Sequence, residues 1–526
     1  MPVAVKRAAC VLVASLVVLA LPAPAFGAPE GEVVSVKPAQ NGAKRMLYRI
    51  GPFKVVPGQN EIGNRVFAEK PAVDGWITRM RPDLVYTNGR VPGVDVIHLH
   101  HGVWLNLSRG DITSPGFPER FFAAGEEKTI MTFPEGYAYR YRASDTWLLN
   151  HMIHNLTPVP TEVYMVYEID FIPDTSPRAR GLRQVHPVWL DVQNGSAYPV
   201  FDVRKGTGQR GRYTYPTDAR NPYKGGPPRN EWVADRDGVL VATAGHLHPG
   251  GLHTDLYMRR PGARISSAAC AGRPPGTARR RCLRNAPRGR GSRAHLFRSK
   301  AKYFEPAGAV SWDVAMTGTP PDWKVKFRRG DVLSTTATYN SKRAAWWESM
   351  GIMVAYMADA GPGRDPFERR VSFPGRPTHG HLRENDNHGG GPGGLPNPLR
   401  MRDGVTVSGP LDVLNFKFTL GDLSLPGSAG RPPVVSRGQS ITFRNVDDPK
   451  AIYHSITSCK PPCNRATGIA YPIADGPVQF ESGTLGSAVP PATGRLEWRT
   501  PPNLDAGTYT YFCRIHPFMR GAFRVK

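Results

Sequence analysis

The chain reads as an all-β protein: three consecutive β-sandwiches joined by turns, with a Gly/Pro-rich linker before the last. Three observations predict this. Of 526 residues, 56 are Gly and 52 are Pro, which supplies many turns and leaves little room for long helices. Hydrophobic residues make up 40%, enough at this length to build several packed cores. Apolar residues also recur in short alternating runs, the period-two pattern of half-buried strands, and no helix-period stretch exceeds a few turns.

Residues 1–27 read as an export signal. Lys6 and Arg7 precede an apolar run over 8–21, and Ala25-Phe26-Gly27 offers small residues for cleavage. No later stretch approaches the roughly 20 apolar residues of a membrane helix, so a secreted or otherwise extracytoplasmic protein is expected. The first sandwich is expected over 28–195, with strands at 45–50, 94–97, 129–132, 147–152 and 162–171, and 183–201 as a connection. The second is expected over 196–362, with strands at 239–244, 252–258, 309–316, 324–327, 332–339 and 350–357. Gly, Pro and Arg then dominate 363–400, read as a linker carrying His379, His381 and His388. The last sandwich occupies 401–526.

The formal charge of +25 raises nucleic acid as a partner. The excess Arg is spread over loops, densest at 273–293, where Pro and Gly interrupt it and aromatic residues are absent. Without a stacking platform, no nucleic-acid site is expected.

In the last sandwich, Tyr511-Phe512-Cys513-Arg514-Ile515-His516-Pro517-Phe518-Met519-Arg520-Gly521 packs a thiolate, an imidazole and a thioether into one loop. A second imidazole is needed for a trigonal His₂Cys set with a weak axial Met, the donor set of blue-copper electron-transfer sites. His454 is the one histidine between residue 400 and the loop. The expected copper ligands are therefore His454, Cys513, His516 and Met519. The motif C-x₂-H-P-F-M-R-G resembles the copper loop of the amicyanin and plastocyanin group of cupredoxins, a resemblance covering about the last 125 residues. With Cys10 in the signal and Cys513 on the metal, Cys270 with Cys282 and Cys459 with Cys463 form two close pairs. Both are expected disulfides in an oxidising compartment, with a second metal site as the rival reading for Cys459 and Cys463.

Two histidine clusters precede the linker: His98-Leu99-His100-His101, followed by His151 and His154; and His246-Leu247-His248, followed by Met350 and Met353. Residues two apart share a strand face, so His246 and His248 can close on one ion, with Met350 or Met353 adding a thioether that favours Cu(I). His100 and His101 are strand neighbours and share a face only where the backbone twists or bulges; His154, at a strand end, is preferred over His151 as their third partner.

Together these clusters resemble the copper type II, ascorbate-dependent monooxygenases, the family of peptidylglycine α-hydroxylating monooxygenase and dopamine β-monooxygenase. The matching parts are His100-His101-Gly102-Val103-Trp104-Leu105, His246-Leu247-His248, and Gly330-Asp331-Val332-Leu333 leading to Glu348-Ser349-Met350 and Val354-Ala355-Tyr356-Met357. The resemblance implies two consecutive jelly-roll sandwiches before the cupredoxin, each with one mononuclear copper: His100, His101 and His154 in the first, His246, His248 and Met350 in the second. It also implies O₂, an external electron donor and a small-molecule or peptide substrate hydroxylated at a C–H bond. This chain has fewer cysteines here than the animal members, and the family's substrate-gripping residues have no counterpart that can be placed. A multicopper oxidase would need His on both sides of the blue-copper cysteine, whereas Cys513 is flanked by Phe512 and Arg514. A secreted copper-binding protein without turnover is the remaining alternative.

Overall fold

The computed structural model describes residues 33–526 apart from 57–61, 95, 156, 158, 197–198, 266–274, 304–313, 343–345, 379–393, 449–451, 460, 465–478, 488–493 and 517. The expected signal segment, Cys270 and the linker histidines His379, His381 and His388 lie outside the described residues. The all-β expectation holds: strands dominate, and Thr277–Asn285 is the one α-helix among the described residues.

Two faces enclose the first core. One is a four-stranded sheet in the order Ile62–Phe67, Trp147–Asn155, Ile97–Gly110, Pro118–Gly125. The other is half of a longer sheet, running from Val33–Pro38 through Lys44–Val55, Thr161–Pro173 and Gly75–Tyr86 to Tyr137–Tyr141. Between them lie Tyr48, Leu99, Trp104, Phe122, Trp147, Ile153 and Tyr167, all almost fully buried. Area of this kind contributes roughly 25 cal/mol per Å² removed from water, so the aromatic rings carry much of the holding energy.

The long sheet does not stop there. Arg183–Asp191 pairs in parallel with Tyr137–Tyr141 on one side and antiparallel with Ile352–Ala358 on the other. The sheet then continues into Gly238–His246. Its second half packs against Arg212–Tyr215, Val332–Asn340, Gly251–Arg259 and Arg293–Lys300, closing a second core around Leu190, Leu240, Leu256, Leu333, Met353 and Met357. Alternate residues Val239, Val241, Tyr356 and Ala358 face back into the first core. Segment 183–191, expected as part of a connection at the end of the first domain, is thus a strand shared by both sandwiches. It contributes Val185 to one core and Val188 and Leu190 to the other.

The expected linker is also shorter than its composition suggests. Val371 is buried in the second core, Asp365 pairs with Arg260 at 2.7 Å, and Arg376–Pro377 adds a strand beside Thr317–Gly318. Its Gly/Pro content masks residues that are packed. The last domain is two four-stranded sheets: Lys417–Phe418, Leu411–Leu414, Thr442–Asn445, Glu497–Arg499; and Val434–Val435, Arg520–Val525, Gly507–Phe512, Thr457–Cys459. Leu411, Phe443, Tyr511 and Phe523 fill its core. Cys459 and Cys463 form a disulfide, as their spacing predicts, and Cys282 is also disulfide-bonded.

Candidate metal centres

Three donors converge at the end of the last domain. Cys513 follows the strand Gly507–Phe512, and His516 sits three residues on in the turn leading to Arg520–Val525. Cys513 Sγ is 3.7 Å from His516 Nδ1 and 3.9 Å from His454 Nδ1, and the two imidazole nitrogens are 3.2 Å apart. Donors about 2.0 to 2.3 Å from one ion in a trigonal plane are themselves about 3.5 to 3.8 Å apart, so this set needs little rearrangement to close on a metal. All three side chains are at most 1% exposed. Asp447 Oδ2 accepts from His454 Nε2 at 3.0 Å, which fixes the tautomer that turns the Nδ1 lone pair toward Cys513. The amide of Ser455 donates to Cys513 Sγ at 3.3 Å. Burial pushes the thiol up, but His516 and His454 outweigh it and hold Cys513 well below the usual thiol range, in the thiolate form a metal needs. Met519 is buried in the same cluster as Cys513, and its amide is held by His516 O at 2.9 Å. Phe416 stands edge-on to His516, screening the set from water.

The histidines of the two sandwiches do not form two separate groups. In the strand Ile97–Gly110, the ladder to Trp147–Asn155 slips one residue between Leu99 and His101: His98 opposes His154, and His101 opposes Met152. His100 is the extra residue of this bulge. Before it, Ile97 and Leu99 face the core; after it, Trp104 does, so the parity has switched. The bulge therefore puts His98, His100 and His101 on one outer face. His154 joins them, with its ring stacked on His100 at 4.4 Å between centroids. His151 points the other way and packs on Phe53.

Across the gap, Gly238–His246 and the turn after it bring His246 and His248 to the same place. His248 Nε2 is 3.1 Å from His101 Nε2, and its ring is 4.6 Å from that of His100. The expected grouping of His246 with His248 and Met350, apart from His100, His101 and His154, is redrawn. Close donor sets are His98–His100–His154, His100–His101–His248, and Glu126–Glu127–His246. Burial, then the neighbouring imidazoles, holds His100, His101 and His154 well below the ordinary histidine range, so they are neutral and able to ligate. His246 differs: burial disfavours its charge, but Glu127 at 2.9 Å outweighs this and lifts it to about 9. Met350 packs with Trp189 and Ile352 against Val103 and Ala123, on the histidine side, whereas Met353 lies in the second core.

A cavity of about 360 Å³ opens onto this cluster. His101, His246 and Glu127 line its polar end, and Val103, Phe122, Val241 and Tyr356 are among its apolar walls. Glu126 and Glu127 carry no sequence motif; they follow directly on the strand Pro118–Gly125, and both are buried.

The last domain docks its cysteine loop here. The Arg514 guanidinium lies 5.2 Å over the Trp346 ring. The Trp346 ring in turn lies flat on Gly250, where a Cβ would sit 2.2 Å from ring carbon Cδ2 and φ is +91°. Gly250 is two residues from His248, so a side chain there would push the ring off the histidine turn.

No family model and no curated protein matches this chain. Among solved structures it is similar to a purple cupredoxin from Nitrosopumilus maritimus, at 20% identity over 18% of this chain and 75% of that one, with a TM-score of 0.12. It is also similar to a Cu-containing nitrite reductase from Thermus scotoductus, at 12% identity over 55% of each chain, with a TM-score of 0.15. At superpositions this shallow, what the centres do has to come from their own residues.

Proposed function

We propose that the chain is an extracytoplasmic copper oxidoreductase that uses O₂ to hydroxylate a C–H bond of a small, largely apolar substrate, with electrons relayed one at a time through the last domain. The observation that carries this is the 3.1 Å approach of His101 and His248 from different sandwiches, beside the docked loop of Cys513. His454, Cys513 and His516, with Met519, are the residues to hold a type 1 copper. His100, His101 and His248, with His98 and His154 behind them, are those to hold copper at the cavity, and Met350 is the thioether on that face.

Copper bound there would supply the one-electron steps and O₂ activation for R–H + O₂ + 2e⁻ + 2H⁺ → R–OH + H₂O, both electrons coming from an external donor. The chain's own residues do the rest. Phe122, Val241 and Tyr356 hold an apolar group beside His101 and exclude water from it. Asp447 keeps His454 in its ligating tautomer. Trp346 and Arg514 bridge the two centres by direct contact. Export follows from the signal at residues 1–27 and suits the Cys459–Cys463 disulfide. No helix among the described residues is long and apolar enough to cross a membrane.

The test uses the full chain, copper-loaded, reduced without O₂ and then mixed with it. The visible band of the type 1 site should return quickly in the wild type and slowly in His248→Ala and Trp346→Ala, while the band itself is unchanged in the oxidised variants. Return at the same rate in all three would overturn the relay, leaving an electron carrier attached to a copper-binding body.

A further inference from the structure

Glu126 is 0% exposed, and neither of its carboxylate oxygens makes a hydrogen bond among the described residues. His100 Nδ1 lies 3.6 Å from its Oε2. The adjacent cation, Lys128, is engaged by Asp83 at 2.6 Å. A carboxylate taken out of water without hydrogen bonds costs several kcal/mol unless a cation or a proton meets it. Beside it, Glu127 is anchored: its Oε1 accepts from the Gly125 amide at 2.9 Å and the Thr129 hydroxyl at 3.1 Å, which aims Oε2 at His246. One donor atom from each of Glu126, Glu127 and His246 lies within 4.8 Å of the others. His246 Nε2 is likewise buried without a hydrogen bond.

We infer that Glu126, Glu127 and His246 form a separate metal site, for a divalent first-row cation such as Zn(II), beside the part of the cavity that Glu127 and His246 line. The donors decide the ion class. Two carboxylates and one imidazole, with no sulfur, favour a divalent ion over Cu(I), whereas the imidazole-only set of His100, His101 and His248 suits copper in either state. The charge agrees: His246 gives up its proton on ligating, as any imidazole ligand must, and one divalent ion then offsets both carboxylates. The backbone agrees too: a Cβ at Gly125 would meet His100 O at 2.7 Å, His246 Cε1 at 2.7 Å and Glu127 Oε2 at 2.9 Å, so a side chain there would wedge the set apart. The site is part of the same wall as the proposed copper centre but does not depend on that centre turning over.

The full-length protein is loaded with Cu(I) without O₂ to fill the thiolate and imidazole sites, then titrated with Zn(II). One Zn(II) should bind tightly, and its X-ray absorption edge should show an oxygen and nitrogen shell without sulfur. Glu126→Gln and Glu127→Gln, each near-isosteric, should weaken that binding at least about tenfold while copper stoichiometry is retained. No Zn(II) uptake beyond copper, a sulfur-containing or imidazole-only shell, or wild-type Zn(II) affinity in both variants would overturn the assignment. The absorption measurement is made on the wild type, so it decides even if a variant misfolds. A chain that takes up Zn(II) in this way but shows no O₂-dependent return of the visible band would lose the copper reading and keep this one.

Discussion

Replacing Asp447 tests the blue-copper assignment at one remove from the metal. Its carboxylate accepts at Oδ1 from the Asn415 amide at 2.9 Å, and at Oδ2 from the Phe416 amide at 3.2 Å and from His454 Nε2 at 3.0 Å. In Asp447→Asn, one of these two positions becomes an NH₂ group. If NH₂ faces His454, the imidazole must accept there and carry its proton on Nδ1, the nitrogen that faces Cys513. If NH₂ faces Asn415, two donors oppose each other in a buried space. Either way about one charge-assisted bond is lost, and an outer partner of a ligating histidine is worth about 10- to 100-fold in metal affinity, or about 1.4 to 2.8 kcal/mol. Competition with a chelator of known copper affinity measures this, with the visible band as the second readout. Unchanged affinity and spectrum would refute the idea that His454 binds through Nδ1 under the control of Asp447.

Other predictions follow from the same geometry. His154→Ala should lower copper bound at the sandwich cluster, while His151→Ala, whose ring packs on Phe53, should leave the stoichiometry unchanged; elemental analysis of loaded protein compares them. Gly125→Ala should reduce metal content at the cavity while leaving the visible band of the Cys513 site intact, because the clash is confined to His100, His246 and Glu127. Away from the candidate metal centres, Asp255 is 2% exposed and accepts from His295 at 2.7 Å and Arg298 at 2.7 Å, with His253 Nδ1 2.9 Å away. Burial raises its pKa, but these partners outweigh it and hold the carboxyl well below its ordinary value. A depressed folded pKa gives stability that is present above the unfolded value of about 3.9 and lost as pH falls below it. Asp255→Asn should therefore be destabilised by about 1.5 to 3 kcal/mol near pH 7 in denaturant melts, with the gap to wild type closing below about pH 4.

Much of the candidate donor set was legible because it is local. Cys513, His516 and Met519 lie within seven residues, and a donor set of that density has few other uses. The same holds for His98, His100 and His101, where the neighbours' need for a bulge followed from strand geometry alone; the structure supplies that bulge at His100. What was not legible depends on tertiary placement. Nothing in the period of residues 183–191 says that the strand joins two sheets, since a strand that faces two cores shows no clean alternation. The packed part of the supposed linker was hidden by Gly and Pro, which signal turns but not whether Val371 beside them finds a core. Adjacent acids such as Glu126 and Glu127 ordinarily mark a solvated turn, and only burial distinguishes these. The division of the six sandwich histidines among sets was also beyond sequence: pairing within each motif suggested two groups, while the sheets bring members of both into contact.

The strand shared by both sandwiches has a mechanical consequence. Arg183–Asp191 is hydrogen-bonded along its length to Ile352–Ala358 and at its start to Tyr137–Tyr141, so the strand that carries His246 and the sheet that backs the first core behind His101 belong to one continuous ribbon of backbone. They cannot swing apart as lobes on a hinge without tearing that ribbon. The 3.1 Å approach of His101 to His248 therefore rests on two cores packed against one shared sheet and not on a joint between separate domains.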